Sequence, residues 1–251
     1  EYQHGIAFLE NMRGHQSMMH HKLDNTANLN RKFRIWRCDI PRDNADGEDT
    51  FDETFADATN RTSMTQQGGS FVKGKKGMAL SFNGSGDFAE LKLDGVINPQ
   101  NTQFTICAWV YNEELGTDAA REEVILTQKD KEGVGRMLLY LYPGEQATHY
   151  SSFLGGRPNT SSADAVKRGE WHHIAVTYNP ADRSITYYVD GKVDATVYAP
   201  PFEKTLGDIR IGSHKTTRNY WHGKLDDLYI FRGILSPREI QRLRAGKPLM
   251  L

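Results

Sequence analysis

A glycoside hydrolase needs two carboxylates on either side of one bond, and the acid pairs Glu113-Glu114 and Glu122-Glu123 are the first residues to test against that need. Neighbouring residues of a strand point to opposite sides of the sheet, so neither pair sets two acids on one face. The spacing Glu-x-Asp-x-x-Glu does not occur in the sequence. Nor does a Gly-x-Ser-x-Gly elbow, a phosphate-cradling loop or a His-Glu-x-x-His helix. The acid pairs read as solvated residues flanking a loop, and the chain reads as non-catalytic. His172 and His173 are adjacent as well. One is expected to pack inward beside Trp171 and the other to face out, so they do not make a metal pair. His15, His20 and His21 have no Cys or His at a spacing that completes a tetrahedral zinc site.

Sugar recognition asks for aromatic faces to stack on, with amide, carboxylate or guanidinium groups for the hydroxyls. Asn219-Tyr220-Trp221-His222 reads as a loop at one rim, just ahead of the last strand, with His214 and Arg218 close by. Tyr140 and Tyr142 share one face of a strand that also carries Arg136. Tyr220, Trp221, Tyr140, Tyr142 and Arg136 are the candidate ligand-binding residues. A binding role expects Tyr220 and Trp221 to be exposed. The plainer alternative has Tyr140 and Tyr142 covering a sheet face and Trp221 plugging the rim.

The elements that would position these residues are strands. Ile174, Val176 and Tyr178 alternate with Ala175, Thr177 and Asn179. Phe104, Ile106, Ala108 and Val110 fall on one face, with Thr105, Cys107 and Trp109 on the other. Asn179-Pro180-Ala181-Asp182-Arg183 is a turn, and Asp190-Gly191 after a β-branched and aromatic run is a hairpin signal. Further strands are expected over Phe71–Leu93, Val124–Thr127, Met137–Tyr142, Ser151–Gly156, Ile209–Gly212 and Leu225–Phe231, with Arg157–Arg168 as a polar loop. Ser236-Pro237-Arg238-Glu239 opens the one helix, with Ser as cap, Pro at the first position and Glu completing a capping box.

Residues 1–45 stand apart. Gly5–Met12 is apolar, and Arg31–Ile40 alternates as a strand stopped by Pro41. Two such pieces form a hairpin or arm that must pack on the rest of the chain or on a partner chain, because a lone pair of strands is marginal in water. Asn44–Thr50 is acidic, small and Gly-containing, and reads as the linker to a domain spanning residues 46–251. The chain has 251 residues and a net charge of −1, which excludes a broad electrostatic footprint for nucleic acid. No apolar run reaches membrane-spanning length, and mean hydropathy is −0.63. Cys38 and Cys107 are too few for a disulfide-dense fold, and nothing in the pattern pairs them. The start at Glu1, without Met or signal peptide, reads as a processed chain or a piece of something longer.

Five pieces, in order, resemble the laminin-G-like jellyroll domain of the concanavalin A-like lectin and glucanase superfamily. They are Gly77–Phe88, Phe104–Val110, Gly169–Val176, Tyr188–Gly191 and Gly223–Phe231 with Leu235–Ile240. The resemblance covers about Asp46 to Leu243 and implies an all-β fold: a two-sheet antiparallel jellyroll sandwich, here with an N-terminal β arm and one short C-terminal helix. The lead-in to Phe51 is acidic where the family is apolar, so the first strand is expected to be short or supplied by the arm. The resemblance further implies a structural Ca²⁺ held by Asp57, Asn83 and Asp226, with Asp87 as a substitute; the bare chemistry of these residues suits turns equally well. It implies no one function, because the fold hosts binding modules, adhesion modules and a few enzymes. Without a catalytic carboxylate pattern, the chain is expected to be a non-catalytic binding or adhesion module for a glycan or a protein surface within an extracellular or virion-surface protein, with a glycoside hydrolase of the same superfamily as the lesser reading. Gly14–Ser17 with Asn28–Arg37 weakly resembles structural proteins of tailed phages of gut bacteria. That favours, as the alternative, a virion component whose residues 1–45 mediate homo-oligomer or larger assembly.

Overall fold

The computed structural model describes residues 33–37, 64–91, 100–113, 123–130, 135–143, 148–154, 157–160, 166–200, 206–215, 218–247 and 249, the strands over 33–37, 135–143, 148–154 and 157–160 by backbone course alone. Two antiparallel sheets face each other. Along the first run β13 (Lys192–Tyr198), β12 (Ser184–Val189), β11 (Trp171–Asn179), β6 (Phe104–Asn112), β17 (His222–Arg232), β4 (Met78–Asn83) and β3 (Ser70–Lys73). Along the second run β10 (Arg157–Thr160), β9 (Thr148–Leu154), β8 (Gly135–Pro143), β7 (Glu123–Asp130), β14 (Leu206–Ile211), β5 (Phe88–Leu91) and β2 (Met64–Gln67). β15 (Ser213–Lys215) and β16 (Arg218–Tyr220) form a small hairpin. β1 (Phe33–Arg37) pairs with the Tyr229–Arg232 end of β17, beyond the stretch where β4 pairs. The sheets and alternation match the sandwich expected from the sequence. Arg157–Thr160 departs from it, forming a strand on β9 where a polar loop was expected.

Period-two alternation decides the layers. Ile106, Ala108 and Val110 of β6 and Ile174, Val176 and Tyr178 of β11 turn inward. They meet Ile125, Leu126, Ile209, Ile211, Ala89 and Leu91 of the second sheet in one core. Burying each large apolar side chain there stabilises the fold by about 1.5–3 kcal/mol. Asp190 (φ 51°) and Gly191 (φ 79°) make the tight β12–β13 turn, as the Asp-Gly dipeptide predicts.

The outer face of the first sheet has its own cover. Cys107, Ala175, Tyr188, Tyr229 and Phe231 pack under α1 (Pro237–Arg244), which contributes Ile240 and Leu243. Cys107 is buried within this layer. The helix begins as its sequence predicts: Ser236 accepts from the Glu239 N–H, and the Glu239 carboxylate accepts from the Ser236 N–H at 2.6 Å. A one-residue bulge in β17 between Asp226 and Tyr229, with Asp227 at φ 47°, lets Leu225 and Leu228 both face the core.

His172 and His173 lie on opposite faces of β11, as alternation predicts, but His173 on the outer face is buried as well. His173 lies edge-on to Trp109 under the outer layer, with ring centroids 5.3 Å apart. Burial, and then the Lys76 ammonium, hold its pKa down at about 3, so the ring is neutral. His172 Nδ1 lies 2.9 Å from the Asp190 carboxylate, which also accepts the His173 N–H. Both histidines brace the β11–β12 end of the sheet.

Candidate functional site

Trp221 does not stand on a rim. Its ring is 0% exposed and belongs to the core between the sheets. Its N–H donates to Gly212 and its carbonyl accepts from Gly84, so the backbone is fixed on both sides. The expected loop over Asn219–His222 is instead the end of β16 and the start of β17. Trp221 follows the close of the β15–β16 hairpin, and filling the sandwich there buries more apolar surface than exposure would allow. Tyr220 is half-buried, paired across the hairpin with Ser213. Tyr140, Tyr142 and Arg136 belong to β8 of the second sheet, with Tyr140 in register with Val124 and Ser151 and Tyr142 with His149. Their side chains lie outside the described residues.

The calcium set does not fit. Asn83 stands opposite His222 on β17, four residues before Asp226, about 13 Å along a strand. Ca²⁺ holds oxygens at about 2.3–2.6 Å, so Asn83 and Asp226 cannot share one ion. Asp57 lies outside the described residues. Asn83 Oδ1 accepts the Ser85 N–H at 2.7 Å, and Asp87 accepts the Asn83 N–H at 2.9 Å, which makes both turn residues. Asp226 accepts the Lys76 N–H at 2.8 Å, and burial lifts its pKa to about 6.

A different constellation forms where β6 ends and β7, β11 and β17 begin. Glu123 is 2% exposed, which corrects its reading as a solvated acid. Its carboxylate accepts from the Asn112 amide and from Arg168, whose Nη1 also donates to the Asn112 Oδ1 and the Glu113 carbonyl. Burial pushes the Glu123 pKa up, and Arg168 and Asn112 pull it part of the way back. This polar plug ties the first sheet to the second at one end of the sandwich. Glu114 and Glu122, the other halves of the acid pairs, lie outside the described residues.

Above the plug, the outer face of the first sheet carries a row set by strand register. Trp171 pairs with Tyr111, Tyr111 with Lys224, Lys224 with Ser81 and Ser81 with Ser70. The Trp171 and Tyr111 rings lie 5.5 Å apart, and both are half-buried. Lys224 Nζ sits 4.1 Å from the Tyr111 ring centroid and 2.7 Å from Glu113 Oε1. The side chains of Lys224 and Glu113 are 25% and 35% exposed. Gly223 makes the approach of β17 to β6 feasible, since a Cβ there would fall 2.0 Å from the Tyr111 carbonyl oxygen. Two aromatic faces, an ammonium, a carboxylate and two hydroxyls on rigid strands can stack on and hydrogen-bond a polyhydroxylated ligand. Sequence reasoning passed over Tyr111, Lys224 and the site role of Trp171. The signal was parity: Tyr111 and Trp171 share the outward phase of Trp109 and His173.

A laminin-G family model described as concanavalin A-like lectin/glucanases superfamily matches residues 83–241. The chain belongs to this family. The mouse sushi, von Willebrand factor type A, EGF and pentraxin domain-containing protein 1 is 22% identical over 182 residues, which is 68% of this chain and 5% of that protein. The chain thus spans about 5% of the length of the curated relatives it matches. Among solved structures, domain 4 of AbnA, a GH43 extracellular arabinanase from Geobacillus stearothermophilus, in complex with arabinotriose, is similar at 20% identity and TM-score 0.52. That match covers 73% of this chain and 87% of the other. The receptor binding domain of botulinum neurotoxin mosaic serotype C/D is similar at 14% identity and TM-score 0.63, covering 85% and 50%. At these identities the likeness is one of fold.

Proposed function

We propose that the chain is a non-catalytic binding module of a larger extracellular or surface protein, with a glycan or protein surface as its target. The observation that carries this reading is the half-buried Trp171–Tyr111 pair, flanked by Lys224 and Glu113, on the outer face of the first sheet. Glu123 is engaged by Asn112 and Arg168, an arrangement suited to bracing the sheets rather than to proton transfer on a substrate. Similarity to a domain solved with arabinotriose and to a receptor binding domain supports the same class. The test is an array of neutral and acidic glycans and candidate receptor proteins, probed with the full chain and with Trp171→Ala. The expected result is retention on at least one target, lost in the variant. Retention that ignores Trp171 would reject this site, and enzymatic cleavage of a retained glycan would reject the non-catalytic reading.

A second reading, assembly through residues 1–45, is favoured by the pairing of β1 with β17. A strand joined to the domain by a long connection can be exchanged between copies. Light scattering on the full chain and on a chain starting at Asp46 separates the two. Assembly by the full chain alone supports exchange, and two stable monomers reject it.

A further inference from the structure

We infer that the row Trp171–Tyr111–Lys224–Ser81–Ser70 is a subsite for a neutral glycan chain lying across the strands. The inference rests on the binding reading above and narrows it to one ligand class. The first support is geometric. Neighbouring strands are about 4.8 Å apart, so a row over five strands is about 19 Å long, room for a few sugar residues in line. The row is chemically graded. Aromatic faces occupy its β11 and β6 positions, the ammonium its β17 position, and serines its β4 and β3 positions. The hydrophobic C–H face of one sugar stacks at Trp171, while hydroxyls further along meet Lys224, Glu113, Ser81 and Ser70.

The second support is charge. Lys224 is compensated by Glu113 at 2.7 Å, and Arg168 by Glu123 at 3.2 Å. Glu170, which precedes Trp171, adds an exposed acid. An acidic glycan would have to displace a carboxylate already in place, whereas a neutral chain uses the ammonium–carboxylate pair as donor and acceptor together. A protein partner is disfavoured because the apolar part of the row is two half-buried rings, far short of the roughly 800 Å² per partner of a standard interface. Lys224 is pinned by both Tyr111 and Glu113, so little side-chain freedom is lost when a ligand arrives.

The experiment is calorimetric titration of the full chain with linear neutral oligosaccharides of increasing length, in arabinan, maltose and cellulose series, and with heparin oligosaccharides as the acidic arm. Binding to one neutral series is expected, tightening with length until the row is filled and changing little with salt. Trp171→Ala should weaken it about tenfold or more. Ser81→Phe, which puts bulk midway along the row and leaves the core untouched, should do the same if Trp171→Ala folds poorly. Salt-dependent binding to heparin alone, lost in Trp171→Ala, would overturn the neutral class and leave the binding site standing. Retention by a receptor protein alone on the array described above, lost in Trp171→Ala, would do the same. Neutral binding that survives both substitutions would overturn the row. Failure of every glycan and every receptor protein to bind the unaltered chain at all would remove this inference and the binding reading together.

Discussion

The two ends of the outer face of the first sheet are built from the same strands and the same alternation, yet they carry opposite chemistry. At one end Cys107, Ala175, Tyr229 and Phe231 are buried under α1. At the other, Trp171, Tyr111 and Lys224 are half-buried, and the polar atoms around them are engaged with one another. Between them lies a transition row: His173, Trp109 and Asp226, paired across β11, β6 and β17. Lys75, Lys76 and Arg244 approach the Trp109 ring there, and Lys76 donates to the Leu243 carbonyl at the end of the helix. One end of the face is packing and the other is a platform. The helix sets the border.

The largest effect of a substitution is expected at the covered end. Phe231 is fully buried and stacked on Tyr229. Phe231→Ala should cost about 3–5 kcal/mol in urea unfolding, through lost burial and the cavity left behind. A loss under about 1 kcal/mol would mean that α1 is not the cover described here.

Next in size is the border. The folded-state pKa of Asp226 is raised from 3.8 to about 6, so the native state holds its proton more tightly than the unfolded chain does. The stability this confers is complete below 3.8 and is lost as pH rises through 6, a change of order 3 kcal/mol. Asp226→Asn keeps an acceptor for the Lys76 N–H and should flatten stability over that window. His173, held near 3, acts with the opposite sign: its contribution is present above the ordinary 6.5 and is lost as pH falls toward 3. Comparing wild type with Asp226→Asn at each pH isolates the carboxyl. Identical profiles would contradict its burial.

Smaller again is the cap. Ser236→Ala removes the acceptor for the Glu239 N–H and should cost about 1 kcal/mol. Hydrogen exchange should quicken in α1 while Tyr111 and Trp171 amides keep their protection. The smallest effect is expected at the platform. Trp171→Ala should change stability by about 1 kcal/mol or less, yet remove ligand binding. A large loss of stability would make Trp171 a packing residue like Phe231.

Much of this fold was legible. The phases of Phe104–Val110 and Ile174–Tyr178, the Asp190-Gly191 turn and the Ser236–Glu239 cap are local patterns, and local backbone preference fixes them. The site was less legible, because it depends on which strands are neighbours. Tyr111, Trp171 and Lys224 are up to 113 residues apart in sequence and meet only through the β11–β6–β17 register. Trp221 misled for the opposite reason. Its polar, aromatic neighbours look like a rim, while its backbone bonds to Gly212 and Gly84 draw the ring into the core. Glu123 looked solvated because its partners, Asn112 and Arg168, lie on other elements.

The most direct test follows the tryptophan indole N–H signals by NMR while a neutral oligosaccharide that binds is titrated in. The Trp171 signal should shift with ligand and saturate, while those of Trp109 and Trp221, buried at the border and in the core, stay in place. Movement of Trp109 or Trp221 with Trp171 unmoved would contradict the division of this face into a packed end and a binding end.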